Sequence, residues 1–170
     1  MPQGKLQVVL VSAKGLENTD FLCNMDPYVL LTCRTQEQKS SVASGKGSEP
    51  EWNEDFIFNI SEGASELALK IMDSDTGSQD DFVGEVAIPL EPVFIERNIP
   101  LTAYTVVKDG EYRGEIKLGL TFTPELTKMQ ELELVQNRNV KAGILKLKNL
   151  LEGGSSLPTP IRQATYSFQP

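Results

Sequence analysis

The sequence predicts an all-β fold, an eight-stranded antiparallel β-sandwich followed by a partly helical C-terminal extension. Three observations carry that expectation. Across the first 125 residues, short runs of alternating or β-branched residues are punctuated by turn residues every 8 to 12 positions or so. Prolines fall at the ends of these runs (Pro27, Pro89, Pro100, Pro124), where a missing N–H does little harm to a ladder. Beyond Pro124 both the periodicity and the charge change, the latter in sign, which sets a boundary at 125/126 between a sandwich over 1–125 and an extension over 126–170.

The elements follow in order. Leu6 to Val11 is rich in β-branched residues and stops at Gly15. Pro27 to Cys33 follows a loop of Asn, Thr and Asp, and Gln38 to Val42 is a weaker strand ending at Gly45-Lys46-Gly47. Asp55 to Ile60 puts Phe56, Phe58 and Ile60 on one face, and Leu67 to Ile71 does the same with Leu67, Leu69 and Ile71. Phe82 to Ile88, Thr102 to Val107 and Glu115 to Phe122 complete the set of eight. In the extension, Val140, Ile144, Leu147 and Leu151 recur at helical spacing, preceded by Leu126, Met129 and Leu132. One or two amphipathic helices over about 126–152 are expected, weakened by Asn137, Asn139 and Gly143, with an irregular polar tail after Gly153-Gly154.

Composition excludes several classes. The chain has 170 residues, 39% hydrophobic and 24% charged, as in a soluble globular domain, and no apolar run approaches the roughly 18 residues that span a bilayer. The N-terminus passes into a strand without a signal-like segment, and Cys23 and Cys33 are too few for a disulfide framework, so a cytoplasmic home is expected. Cys33 reads as a strand residue, and nothing around Cys23 lowers a thiol pKa. The absence of histidine removes Ser-His and Cys-His catalysis and His-ligated zinc. The net charge of −8 divides unevenly. Residues 126–170 carry six basic and three acidic side chains, a net of +3, which leaves −11 on residues 1–125. On the average alone, anionic partners look unfavourable.

The informative chemistry is a set of aspartates in two strand-connecting loops. Asp20 and Asp26 stand in the first; Asp73, Asp75, Asp80 and Asp81 stand in the second. A sandwich gathers its loops at two ends, so carboxylates distant in sequence can converge there. Like charges held close repel, and persist together when a cation lies between them. Oxygen donors without His or thiolate select Ca²⁺ or Mg²⁺, and flexible acidic loops suit the larger shell of Ca²⁺. An EF-hand fails on register: with Asp73 first, Ser78 stands where Gly is needed and Gly84 where the bidentate Glu is needed. Aspartate is also an ordinary turn residue, which explains Asp80 well enough, as solvation explains Glu49, Glu51 and Glu54. Gly45-Lys46-Gly47-Ser48 lacks the rest of a P-loop, and Lys39 with Lys46 make no polybasic patch. Tyr28 and Trp52 read as structural residues. Paired carboxylates such as Asp73 and Asp75 can serve hydrolysis, but no nucleophile, base or substrate-orienting set accompanies them, so no enzyme is expected.

Three motifs in order, Asp26-Pro27-Tyr28-Val29, then Pro50-Glu51-Trp52-Asn53-Glu54-Asp55-Phe56, then Asp73-x-Asp75-x5-Asp81-Phe82-Val83-Gly84-Glu85, resemble the C2 domain over roughly residues 4–124. The order of strands resembles the second of the two C2 topologies, and the whole is similar to the small plant single-C2 proteins of the elicitor-responsive and 16-kDa phloem-protein type. The resemblance implies that Asp20, Asp26, Asp73, Asp75 and Asp81 are the calcium-binding aspartates, with further oxygen from Ser78 and from the backbone near Thr19 and Gln79. Asp80 is placed beside a ligand. It also implies a monomeric module that binds anionic phospholipid membranes when calcium is present, moving from the cytoplasm reversibly to the plasma membrane in defence or stress signalling. Phe21 and Leu22, with Met25 less favoured, form an apolar tip between Asp20 and Asp26 suited to shallow insertion. The rival role is that of an RNA- or protein-binding carrier of the phloem-protein type, for which the basic tail is the compositional hint. Lys141, Lys146 and Lys148 beside Ile144, Leu147 and Leu151 also suit a membrane-surface helix.

Overall fold

The structure is a computed structural model that describes residues 2–18 and 24–153. It divides into two compact units, residues 1–125 and 126–170. In the first, eight strands run in the order β3-β2-β5-β6-β7-β8-β1-β4, all neighbours antiparallel. They are β1 (Gly4–Lys14), β2 (Pro27–Cys33), β3 (Gln36–Lys39), β4 (Glu51–Ile60), β5 (Glu66–Asp73), β6 (Asp81–Pro89), β7 (Asn98–Lys108) and β8 (Glu111–Pro124). Between β6 and β7 one residue pair, Glu85 with Val107, holds the ladder together. The eight strands are therefore two four-stranded halves, β3-β2-β5-β6 and β7-β8-β1-β4, joined along one seam. The sandwich expected from the sequence is present.

The alternation of the strands builds its core. Leu6, Val8 and Leu10 of β1 point inward together with Phe56, Phe58 and Ile60 of β4 and Leu118, Leu120 and Phe122 of β8. The other half contributes Val29 and Leu31 of β2 and Leu67, Leu69 and Ile71 of β5 to the same cluster. Each large side chain buried in this way stabilises the fold by about 1.5–3 kcal/mol relative to exposure. Cys33 lies in this core with a free thiol, and burial pushes its pKa up against the smaller, opposing effect of Arg34. Trp52 is buried as a structural residue and donates its indole N–H to the Pro27 carbonyl at 3.3 Å.

Several boundaries differ from the sequence reading, each for a local reason. A short helix, α1 (Glu91–Glu96), stands between β6 and β7, where no helix is expected from periodicity because six residues give less than two turns. Pro92 starts it, Val93 anchors it in the core, and Arg97 ends it in the left-handed region. Strands β7 and β8 are longer than expected and meet at Asp109-Gly110, both at positive φ, the signature of a two-residue type I′ hairpin. Gly114 in β8 has φ +109°, and a Cβ there would stand 2.7 Å from the Lys14 carbonyl oxygen, so only glycine fits. β3 covers Gln36–Lys39 and stops before Val42, because Ser40 turns its N–H and its hydroxyl onto β2, at the Val29 carbonyl and amide respectively.

The second unit contains one uninterrupted helix, α2 (Lys128–Glu152). Thr127 and Gln130 form a reciprocal capping box: the Thr127 hydroxyl accepts from the Gln130 N–H at 3.3 Å, and the Gln130 side chain accepts from the Thr127 N–H at 3.0 Å. Asn137, Asn139 and Gly143 lower its propensity without breaking it. None of its residues is buried. No helix among the described residues is long and apolar enough to cross a membrane. The irregular tail expected after the helix lies outside the described residues from 154 onward.

Candidate functional site

The acidic end of the sandwich is set by strand register. β2 begins at Pro27, directly after Asp26; β5 ends at Asp73; β6 begins at Asp81. Pro27 pairs with Asp73, and Asp73 pairs with Asp81, so these three stand in one row across three adjacent strands, and Asp26 precedes that row by one residue. A bulge sharpens this placement. Ile71 pairs with Gly84 but Met72 with Phe82, leaving Val83 as the extra residue close to Asp81.

Backbone groups fix the loops around that row. The Asp26 N–H donates to Asp73 Oδ1 at 2.7 Å, and the Ser74 N–H donates to the Asp26 carbonyl at 3.1 Å, which ties the loop before β2 to the loop between β5 and β6. The Gly45 N–H donates to Asp26 Oδ1 at 2.5 Å, so the Gly45-Lys46-Gly47 turn supports the site. Its sequence reads as a hairpin loop, but it joins β3 to β4 at opposite ends of the strand order and is a crossover connection. Both glycines of that turn have positive φ. Asp73 is 1% exposed. Burial of a carboxylate this deep requires polar partners, and the Asp26 N–H is one of them. Asp26 and Asp75 are half-buried, and Asp81, Ser78 and Gln79 are exposed.

Asp80 does more than its turn position suggests. Its Oδ2 accepts from the Tyr28 hydroxyl at 2.6 Å, and its Oδ1 accepts from the Asp75 N–H at 3.1 Å. This pair of bonds fastens the β5–β6 loop to β2. The Tyr28 hydroxyl bond chiefly, then the Asp75 N–H, holds the Asp80 carboxyl below its usual range, and the charge of Lys39 acts in the same direction. Burial first, and the bond to Asp80 second, push Tyr28 up to about 12. The Lys39 ammonium stands 3.7 Å from the centre of the Tyr28 ring, a cation–π contact, so this lysine has a structural neighbour. Which of the adjacent Asp80 and Asp81 faces the loop interior is a matter of one residue of register, and only the fold decides it.

Two cations near Asp81 have other partners. Lys108 donates to the Phe82 carbonyl at 2.8 Å. Arg113 stands 2.6 Å from Glu17 and 2.9 Å from Glu111; its Nε contact with Glu17 is close but off the N–H axis, an ion pair without a good hydrogen bond. Among the described residues, no three acidic or thiol side chains are already gathered at metal-ligating distance. Asp20 and Thr19 lie outside the described residues, as do Phe21, Leu22 and Cys23. Met25 is fully buried in the core, so the apolar tip does not include it. It is held there by chain direction: the Gly47 N–H donates to its carbonyl at 3.0 Å, and the side chain turns inward ahead of β2.

The two four-stranded halves and the acidic loop end together define a C2 domain, the class of modules that bind membranes and lipids. The chain belongs to this family: the C2 domain family model matches residues 4–105. It is 68% identical over 125 residues to elicitor-responsive protein 3 of Oryza sativa subsp. japonica, covering 74% of this chain and 87% of that relative. It is equally 68% identical over 124 residues to 16 kDa phloem protein 2 of Arabidopsis thaliana, covering 73% of this chain and 84% of that relative. Among solved structures it is similar to the calcium-bound tandem C2 domains of extended synaptotagmin 2, at 28% identity and a TM-score of 0.63, covering 72% of this chain and 46% of that one. The small plant single-C2 type expected from the motifs is therefore shown.

Proposed function

We propose that the protein is a calcium-dependent phospholipid-binding module that moves from the cytoplasm reversibly to the plasma membrane in defence or stress signalling. The observation that carries this reading is that Asp73, 1% exposed, pairs with Asp81 across the β5–β6 ladder and accepts the Asp26 N–H at 2.7 Å. The donor set fits calcium: all side-chain donors are hard oxygens, they come from two loops and the strand ends beside them, and five of them are carboxylates. Asp20, Asp26, Asp73, Asp75 and Asp81 would hold the ion, with additional oxygen from Ser78 and near Thr19 and Gln79. Bound calcium would supply positive charge at this end of the sandwich and a bridge to lipid phosphate. The calcium-bound relative supports the assignment, and the name of the elicitor-responsive relative supports the setting.

The protein's own residues do the rest. Five carboxylates carry −5 in a region whose total is −11, so an anionic surface is repelled until that charge is offset. The hydrogen bonds from Asp26, Gly45 and Asp75 hold the loops in place beforehand, which lowers the ordering cost of binding. Phe21 and Leu22 supply the apolar contact with the headgroup region. In this reading residues 1–125 are the module and residues 126–170 an extension, the molecule is a monomer, and it catalyses no reaction.

Co-sedimentation with phosphatidylcholine vesicles containing phosphatidylserine tests it. Calcium is expected to raise the vesicle partition coefficient at least about tenfold over the value in chelator, equal to ~1.4 kcal/mol. Equal partitioning with and without calcium overturns the reading.

A further inference from the structure

We propose that α2 is a second membrane-contact surface, lying on anionic bilayers through an apolar stripe flanked by lysines, without calcium. Leu132, Val140, Ile144, Leu147, Leu150 and Leu151 are all exposed on this helix, Ile144 at 60% and Leu147 at 62%. At 3.6 residues per turn, Val140, Ile144, Leu147, Leu150 and Leu151 share one face about 120° wide. Leu145 alone in this stretch is a large apolar side chain on the opposite side. Exposed apolar surface of this extent and regularity marks an interaction site.

Charge selects the partner. Lys146 borders the stripe on one edge, Lys141 and Lys148 on the other, and Arg138 stands on the polar face. No acidic residue occurs between Leu134 and Leu151. Glu131 and Glu133 stand in the first two turns, where they suit the helix N-terminus, and Glu152 at the far end stands 3.8 Å from Lys148. Apolar face, basic borders and a hydrogen-bonded start together describe a helix that lies in the plane of an anionic lipid surface.

A second copy of the chain fits less well. The coiled-coil seam Val140, Ile144, Leu147, Leu151 runs for two heptads only, and upstream its positions are Asn137, Glu133 and Gln130. Lys141 and Lys148 would also line one edge of such a pair with like charge. An RNA partner would meet the lysines and leave the apolar stripe in water. A bilayer satisfies both.

The proposal stands apart from the calcium reading, because it concerns other residues and is tested in chelator. The full chain is mixed at low ionic strength, with calcium chelated, with vesicles of phosphatidylcholine alone or with added phosphatidylserine. Wild type is expected to partition onto the anionic vesicles at least about tenfold better than onto neutral ones, and added salt should weaken this. Ile144→Asn with Leu147→Asn, and separately Lys141→Glu with Lys146→Glu and Lys148→Glu, should each remove at least about nine-tenths of that binding. All five positions are exposed, so both variants should keep the wild-type unfolding midpoint and the calcium-dependent increment. Asp73→Asn with Asp75→Asn should leave the binding in chelator unchanged. No binding to anionic vesicles in chelator overturns the proposal, as does binding that survives either α2 variant. A dimer in sedimentation that Ile144→Asn with Leu147→Asn dissociates assigns the stripe to a second copy, and an RNA gel shift without vesicle binding assigns the charges to RNA; both also overturn it.

Discussion

Asp73→Asn combined with Asp75→Asn is expected to abolish the calcium-dependent part of vesicle binding while the module stays folded. Asparagine keeps the shape of the side chain and an oxygen at the Oδ1 position, so at residue 73 it still accepts the Asp26 N–H that ties the two loops together. What the pair removes is two of five negative charges from the ligand set. Affinity for a hard cation follows the charge count of its ligands. The expected loss of calcium affinity is at least about a hundredfold, equal to ~2.7 kcal/mol. In chelator, thermal unfolding should lie within about 1 kcal/mol of wild type, because a neutral acceptor of the same shape replaces a charged one while like-charge repulsion falls. Calcium titration followed by vesicle sedimentation checks both halves. A variant that binds vesicles with calcium as well as wild type would sink the site assignment.

Phe58→Ala is expected to cost about 3–5 kcal/mol of stability. Phe58 is fully buried in β4, opposite Leu6 of β1, in the half-sandwich that does not contain Asp73 or Asp81. Removing the ring forfeits its transfer energy and leaves a cavity in a close-packed region. A domain of this size has about 5–15 kcal/mol in total, so the variant should be near the edge of folding. Calcium then becomes a readout of the distant site. At about a hundredfold excess over its dissociation constant, a ligand bound by the native state alone restores ~2.7 kcal/mol. Calcium should therefore raise the denaturation midpoint of Phe58→Ala, and should fail to do so when Asp73→Asn and Asp75→Asn are added. Rescue that persists in the triple variant would place the stabilising ion elsewhere.

The fold is most legible in the sequence where alternation is strict. Phe56, Phe58 and Ile60 in β4 and Leu67, Leu69 and Ile71 in β5 follow a period of two, and all six are in the core. Elements shorter than two of their own periods stay hidden: α1, with six residues, shows only Pro92 after Glu91, a start signal without a face to follow. The Asp109-Gly110 pair is a readable hairpin signal that extends both β7 and β8. Bulges account for much of the rest, since β7 changes register between Ile99 and Thr102 and again between Thr105 and Val107. In α2 the propensity cost of Asn137, Asn139 and Gly143 is smaller than their number suggests; each is worth less than a turn of hydrogen bonds, and a capping box secures the start.

At the acidic end, the sequence motifs point to the loops and the structure supplies the contacts. Asp26, Asp73 and Asp81 stand at one end of the sandwich because β2, β5 and β6 are neighbours in register, which no local pattern reveals. Asp80 is easily passed over because a turn aspartate normally faces water, whereas the Tyr28 hydroxyl and the Asp75 N–H both reach it here. Met25 follows Phe21 and Leu22 closely in sequence, yet is buried in the core. Proximity in sequence groups it with Phe21 and Leu22; the hydrogen bond from Gly47 to its carbonyl shows where the chain has already turned inward.

The central claim is that this acidic end binds calcium and that calcium couples it to anionic lipid. Calorimetric titration of calcium into the full-length protein, with and without vesicles containing phosphatidylserine, tests it most directly. The account predicts saturable binding in the absence of lipid, and an affinity at least about tenfold higher when the vesicles are present, because linkage requires each ligand to strengthen the other. No saturable calcium binding, or one affinity in both conditions, would contradict it.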